Sequence, residues 1–160
     1  MERCDEGVCR TERDGATGVC PRCGGKGRPV KTITVRYLIR GRFQDQVQDP
    51  LSYRFCPLPN CPVVYFAEDG DSVFTKEELA KRVTMKERED PVPVCYCFNF
   101  FRKDLEEEIK RGGQSSIPEF ISAQVKKGNC FCEYTNPQGT CCLGNVSATV
   151  KKSLREEGKT

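Results

Sequence analysis

The residues best able to do chemistry in this chain are its cysteines, of which there are 12, and no histidine accompanies them. Without imidazole there is no Ser-His-Asp triad, no Cys-His pair and no histidine metal ligand. A metal must be held by thiolate, helped at most by carboxylate. Thiolate-rich sites select zinc, cuprous copper and iron–sulfur clusters. The cysteines fall in three groups: Cys4, Cys9, Cys20 and Cys23; Cys56 and Cys61; and Cys95, Cys97, Cys130, Cys132, Cys141 and Cys142.

Cys20-Pro21-Arg22-Cys23-Gly24 is a two-spacer pair closed by glycine. That spacing aims both thiolates at one ion, and glycine tolerates the positive φ of the turn. Cys56 and Cys61 are separated by four residues, between two short apolar runs that would present them from a turn. Four thiolates from two such pairs make a closed tetrahedral zinc site, structural rather than catalytic. Two local disulfides or free buried thiols are the competing reading. Cys4 and Cys9 lie in a polar, charged stretch and read as a tail with spare thiols.

In the third group, Cys95-Tyr96-Cys97 places two thiolates on one side of an extended segment. Cys132 and the adjacent pair Cys141 and Cys142 flank Asn136-Pro137-Gln138-Gly139, a turn signal that folds the loop onto itself. Two plus two thiolates match the four ligands of a [2Fe–2S] centre, with helix N-termini nearby to favour an anionic site. Neighbouring side chains leave the backbone in different directions, so one of Cys141 and Cys142 is the expected ligand. Cys142 is preferred, being closer to the following helix. Zinc at the same four thiolates is the rival. Cys130 reads as a bridge to a leftover Cys141 or as a free thiol beside the cluster.

These ligands need elements to hold them. Residues 30–40 alternate, with Ile33, Val35, Tyr37 and Ile39 on one side, and predict a half-buried strand. Residues 53–55, 63–66 and 72–74 predict further short strands, with a hairpin turn over 68–71. Thr75 and Glu78 form a capping box expected to open a helix to about Val83. Three helices follow: one carrying Phe101, Leu105 and Ile109, capped by Asn99 and stopped at Gly112-Gly113; one carrying Ile117, Ile121 and Val125 behind a Ser116/Glu119 box; and one carrying Val146, Val150 and Leu154 behind Asn145. The expected class is α+β: a small zinc-bound antiparallel β module followed by a helical [2Fe–2S] module. The expected divisions are a polar tail over 1–17, the zinc module over 18–85, a linker over 86–94 and the cluster module over 95–160.

Lys and Arg number 26 against 23 Asp and Glu, a net charge of +3 that speaks against a nucleic-acid partner. The opening Met1-Glu2-Arg3-Cys4-Asp5-Glu6 is too charged for a secretory signal, and no apolar run approaches a membrane span. The expectation is a cytoplasmic protein, where clustered cysteines serve metals more often than disulfides. A redox Cys-x-x-Cys sits at a helix start, but Gly24-Gly25-Lys26-Gly27 follows this one, which disfavours a thiol–disulfide oxidoreductase.

Three blocks carry a family resemblance. They are Phe55-Cys56 to Cys61 with Val63-Val64-Tyr65-Phe66; Lys86-Glu87-Arg88-Glu89 through Pro93-Val94-Cys95-Tyr96-Cys97; and Cys132 through Thr135-Asn136-Pro137 and Gly139 to Cys141-Cys142. Together they resemble the N-terminal domain of the archaeal CopZ copper chaperones, over roughly residues 18–157. The resemblance implies one zinc at Cys20, Cys23, Cys56 and Cys61. It also implies one [2Fe–2S] cluster at Cys95, Cys97, Cys132 and Cys142 or Cys141, in a module similar to bacterioferritin-associated ferredoxin. The implied role is one-electron transfer in copper handling, by cupric reduction or exchange with a partner. Copper ion, a copper-handling protein and a redox protein are the implied partners. The family's Met-x-Cys-x-x-Cys copper loop has no counterpart in these residues, and Cys4, Cys9 and Cys130 are additional to its pattern. The alternative is a non-enzymatic, metal-stabilised scaffold that docks a protein. Either way the chain reads as a metal-binding or electron-transfer protein more than as a dedicated enzyme.

Overall fold

The computed structural model describes residues 18–48, 52–68 and 72–158. Four short strands form one antiparallel sheet in sequence order: β1 (Arg28–Val30), β2 (Tyr53–Phe55), β3 (Val63–Ala67) and β4 (Val73–Thr75). Phe55 pairs with Arg28 on one side and Tyr65 on the other, and Tyr65 pairs with Phe74. Every residue of β3 is buried, because both faces of this central strand are covered. On one side lies a core of Val35, Leu38, Tyr53, Phe55, Tyr65, Phe74 and Leu79; on the other, Val63 and Phe66 pack with Cys20, Cys56 and Cys61. The expected strands at 53–55, 63–66 and 72–74 are present. Most of the hairpin turn expected over 68–71 lies outside the described residues.

The strand expected over residues 30–40 is corrected: Thr32–Leu38 is a helix, α1. Its buried residues are Thr34, Val35 and Leu38, followed by Ile39, a helical i, i+3, i+4 spacing. Ile33 and Tyr37, which the alternating reading put inside, are 38% and 60% exposed. The helix expected from Lys76 to Val83 is one 3-10 turn, Lys76–Glu78. Its capping box does form, with the Thr75 N–H donating to Glu78 Oε1 at 2.8 Å. Leu79 then leaves the turn to bridge Ile39.

The second half is a two-stranded ladder, β5 (Pro93–Cys95) and β6 (Phe100–Phe101), with helices α2 (Arg102–Gly112), α3 (Ile117–Lys126), α4 (Cys132–Thr135) and α5 (Leu143–Glu156). Leu105, Ile109, Ile117, Ile121 and Val146 are buried between them. Three cap expectations change. Asn99 sits upstream at φ 65, and Asp104 instead accepts the Phe101 N–H at 2.8 Å. Ser116 makes no side-chain cap bond; the Ile117 N–H goes to Ser115 Oγ, while Glu108 Oε1 accepts from Ser115 and the Ser116 N–H. Cys142, not Asn145, is the cap of α5.

The two halves are packed together. The α1 helix lies against α4, where Thr34 Oγ1 donates to the Glu133 carbonyl at 2.7 Å and the Tyr37 and Tyr134 rings meet edge to face at 4.9 Å. The buried Tyr65 hydroxyl, on β3, donates to the Pro137 carbonyl at 2.5 Å. The stretch expected as a linker, 86–94, is tied down as well. Lys86 closes a 3-10 turn and is buried, and Glu87 pairs with Arg82 at 2.9 Å.

Candidate metal centres

Cys20, Cys23, Cys56 and Cys61 come to one point, their four Sγ atoms all within 4.8 Å of one another. The first pair sits on a tight turn: the Gly24 N–H returns to the Cys20 carbonyl at 2.9 Å, and Gly24 holds φ 77. The second pair is held by the sheet. Cys56 follows β2 and extends its ladder, its N–H bonding the Val64 carbonyl at 2.8 Å. Gly27 lets the turn that carries Cys20 and Cys23 approach β3, because a Cβ there would lie 2.5 Å from the Phe66 ring.

The donor set fits zinc. A tetrahedron with Zn–S bonds of about 2.3 Å has S···S edges of about 3.8 Å. Cys20–Cys61 is 3.8 Å and Cys23–Cys56 is 3.6 Å. Three of the four thiols are buried and the Cys23 residue is exposed, so the site is closed on its inner side. Burial pushes the Cys56 thiol up to about 12, against the pull of the Leu58 N–H and the Lys86 ammonium. That ammonium is a part of the site that sequence reading missed. Lys86 Nζ donates to the Leu58 carbonyl at 2.7 Å and the Cys61 carbonyl at 2.9 Å, bracing the loop that carries both ligands. In the sequence Lys86 opens a charged run and carries no sign of burial.

The second centre lies where β5, α4 and α5 meet. Cys132 begins α4, and Cys142 precedes α5 with both thiols buried. Cys95 ends β5, and Cys97 lies two residues on, 3.7 Å from Cys132 Sγ to Sγ. A hydrogen bond from Cys142 is the main cause that brings Cys132 down to about 5 and Cys95 down to about 7. The same contacts raise Cys142. Cys142 therefore faces Cys95 and Cys132, whereas Cys141 is exposed. Tyr96 anchors the first loop, its hydroxyl donating to the Arg82 carbonyl at 2.5 Å and accepting from the Thr84 N–H at 3.1 Å. Asn136, buried, anchors the second loop through the Thr140 carbonyl at 2.9 Å and the Gln138 N–H at 3.0 Å. Four thiols presented in two loop pairs, two of them next to helix starts, are a donor set that fits a [2Fe–2S] group.

Cys130 joins this centre rather than pairing with Cys141: its Sγ lies 3.1 Å from Cys132 and 4.0 Å from Cys97. All described cysteines are free thiols. Cys4 and Cys9 lie outside the described residues. No helix among the described residues is long and apolar enough to cross a membrane.

Comparison with known proteins places these features in a family. A family model described as a zinc binding domain, of the CopZ type, matches residues 17–80. The copper chaperone CopZ of Archaeoglobus fulgidus is 38% identical over 123 residues, covering 77% of this chain. The chain spans 57% of that relative's length. The X-ray structure of the Archaeoglobus fulgidus CopZ N-terminal domain superposes with a TM-score of 0.68 at 34% identity, over 81% of this chain and 95% of that one.

Proposed function

The chain belongs to the family of the CopZ N-terminal domain and carries its zinc binding domain, and from that premise we propose a two-centre metalloprotein of copper handling. Zinc at Cys20, Cys23, Cys56 and Cys61 locks the β module. A [2Fe–2S] cluster is held by Cys95, Cys97, Cys132 and Cys142. In this reading 18–85 holds the zinc ligands and 95–160 holds the cluster ligands. When bound, the cluster supplies one-electron chemistry, suited to turning cupric into cuprous ion or to exchange with a redox partner. The copper role follows the name of the relative, a copper chaperone.

The observation that carries the second centre is the burial of Cys142 in one core cluster with Cys95 and Cys132 while its neighbour Cys141 is exposed. This chain's residues prepare that site in two ways. The Phe131 N–H donates to Cys97 Sγ at 3.0 Å, and the Thr135 hydroxyl lies 3.2 Å from the same sulfur; both offset part of the burial that on balance raises the Cys97 thiol. Tyr96 and Asn136 fix the two loops, so little conformational entropy remains to be lost on loading.

Voltammetry on anaerobically reconstituted protein tests the reading. One reversible one-electron couple is expected, at a potential below that of centres in which histidine replaces two thiolates. A coloured protein with no reversible couple would leave the alternative function, a metal-stabilised scaffold, as the better account.

A further inference from the structure

Cys130 is not among the four proposed cluster ligands, yet its Sγ lies 3.1 Å from that of Cys132. Cys97, Cys130 and Cys132 form a second mutually close group, all Sγ atoms within 4.8 Å. Their separations are 3.1, 3.7 and 4.0 Å. Among the described residues the mutually close group stops at three: Cys95 and Cys142 pack in the same core cluster as Cys132 but fall outside that group. Three thiols with no fourth suit a trigonal, soft, monovalent ion and do not satisfy tetrahedral zinc.

We infer that Cys97, Cys130 and Cys132 form a three-thiolate site for one cuprous ion, filled only when the cluster is absent. This rests on the proposed function in one respect, the assignment of Cys97 and Cys132 as cluster ligands. Sharing those two sulfurs makes the two loadings mutually exclusive. Binding forms three Cu–S bonds and releases the thiol protons to solvent; copper enters and stays cuprous, so no electron moves.

The site is built for access. Cys97 and Cys130 are half-buried, and Phe131 between Cys130 and Cys132 is 58% exposed. Cys132, the third sulfur, is buried beside them. The zinc thiolates form a separate closed group, at which Cys130 takes no part.

The test is an anaerobic titration of the full chain, zinc-loaded and without iron, with cuprous ion against a coloured cuprous chelator. A Cys4→Ser, Cys9→Ser background removes the thiols of the N-terminal stretch. One tightly held equivalent is expected, with three sulfur neighbours by X-ray absorption. Cys130→Ser should weaken it roughly tenfold or more, while Cys141→Ser leaves it unchanged. Zinc content checks that the Cys130 variant is folded. Equal affinity in Cys130→Ser, or two sulfur neighbours in the parent, overturns the inference whatever the cluster does. Iron and sulfide reconstitution should abolish cuprous binding. If a reconstituted, coloured sample still binds the ion through Cys130, the three-thiolate site stands and the assignment of Cys97 and Cys132 to the cluster falls.

Discussion

Replacing Lys86 by methionine isolates the cation beneath the zinc site. Methionine keeps most of the apolar stem and removes the ammonium. Two charge-assisted hydrogen bonds are lost, at 2.7 Å to the Leu58 carbonyl and 2.9 Å to the Cys61 carbonyl. Bonds to a charged group contribute about 1.5–3 kcal/mol each. Burying the ammonium costs part of that sum, so a net loss of about 2–4 kcal/mol is expected. The loss divides between the fold and the metal. A tetrathiolate zinc site carries net negative charge, and Lys86 already draws Cys56 toward its thiolate form. Zinc affinity should therefore fall by about 10–100-fold, the range for residues that support metal ligands. Competition with a coloured zinc chelator reads the affinity, and thermal unfolding of the zinc-loaded protein reads stability. Lys81→Met, a substitution at the exposed Lys81, is the control. Because Lys86 is buried, the effect should persist in high salt. Wild-type affinity and melting temperature in Lys86→Met would refute the reasoning.

Other perturbations have equally defined outcomes. Gly27→Ala drives a methyl into the Phe66 ring and should cost about 1–3 kcal/mol in a thermal or denaturant melt. Tyr65→Phe leaves the Pro137 carbonyl without its buried partner and should cost about 1–3 kcal/mol while zinc content stays unchanged. Cys142→Ser should remove or strongly shift the cluster's visible spectrum, and Cys141→Ser should leave it near wild type; the reverse pattern would reassign the ligand. Glu108 is held below its ordinary 4.5, chiefly by the Ser115 hydroxyl, so its contribution is present above that value and is lost as pH falls through the lower folded value. Glu108→Gln should accordingly flatten the acid side of the stability profile, measured by melts across pH 3–6.

The gathering of Cys20, Cys23, Cys56 and Cys61 was legible in the sequence because its signal is chemical: cysteine type, spacing and glycine placement survive without knowledge of the fold. The β2 to β4 strands were legible from short apolar runs bounded by turn residues. Helix α1 was not, because Ile33, Val35, Tyr37 and Ile39 satisfy a period of two as well as Val35, Leu38 and Ile39 satisfy a helix. Packing decided between them, leaving Tyr37 outside to meet Tyr134. Caps also misled: Asn99 and Ser116 are good capping types, but the groups that hold those ends come from Asp104, Ser115 and Glu108, and α5 begins behind Cys142 rather than Asn145. Lys86 and Tyr65 act through carbonyls 25 to 72 positions away, and no local pattern encodes such a partner.

The central claim is that one chain holds two different thiolate centres. Elemental analysis of anaerobically reconstituted protein, normalised to chain concentration, tests it most directly. The account predicts one zinc and two irons per chain, with Cys56→Ser losing the zinc and retaining most of the iron. Two zincs and no iron after reconstitution, or loss of both metals together in Cys56→Ser, would contradict it.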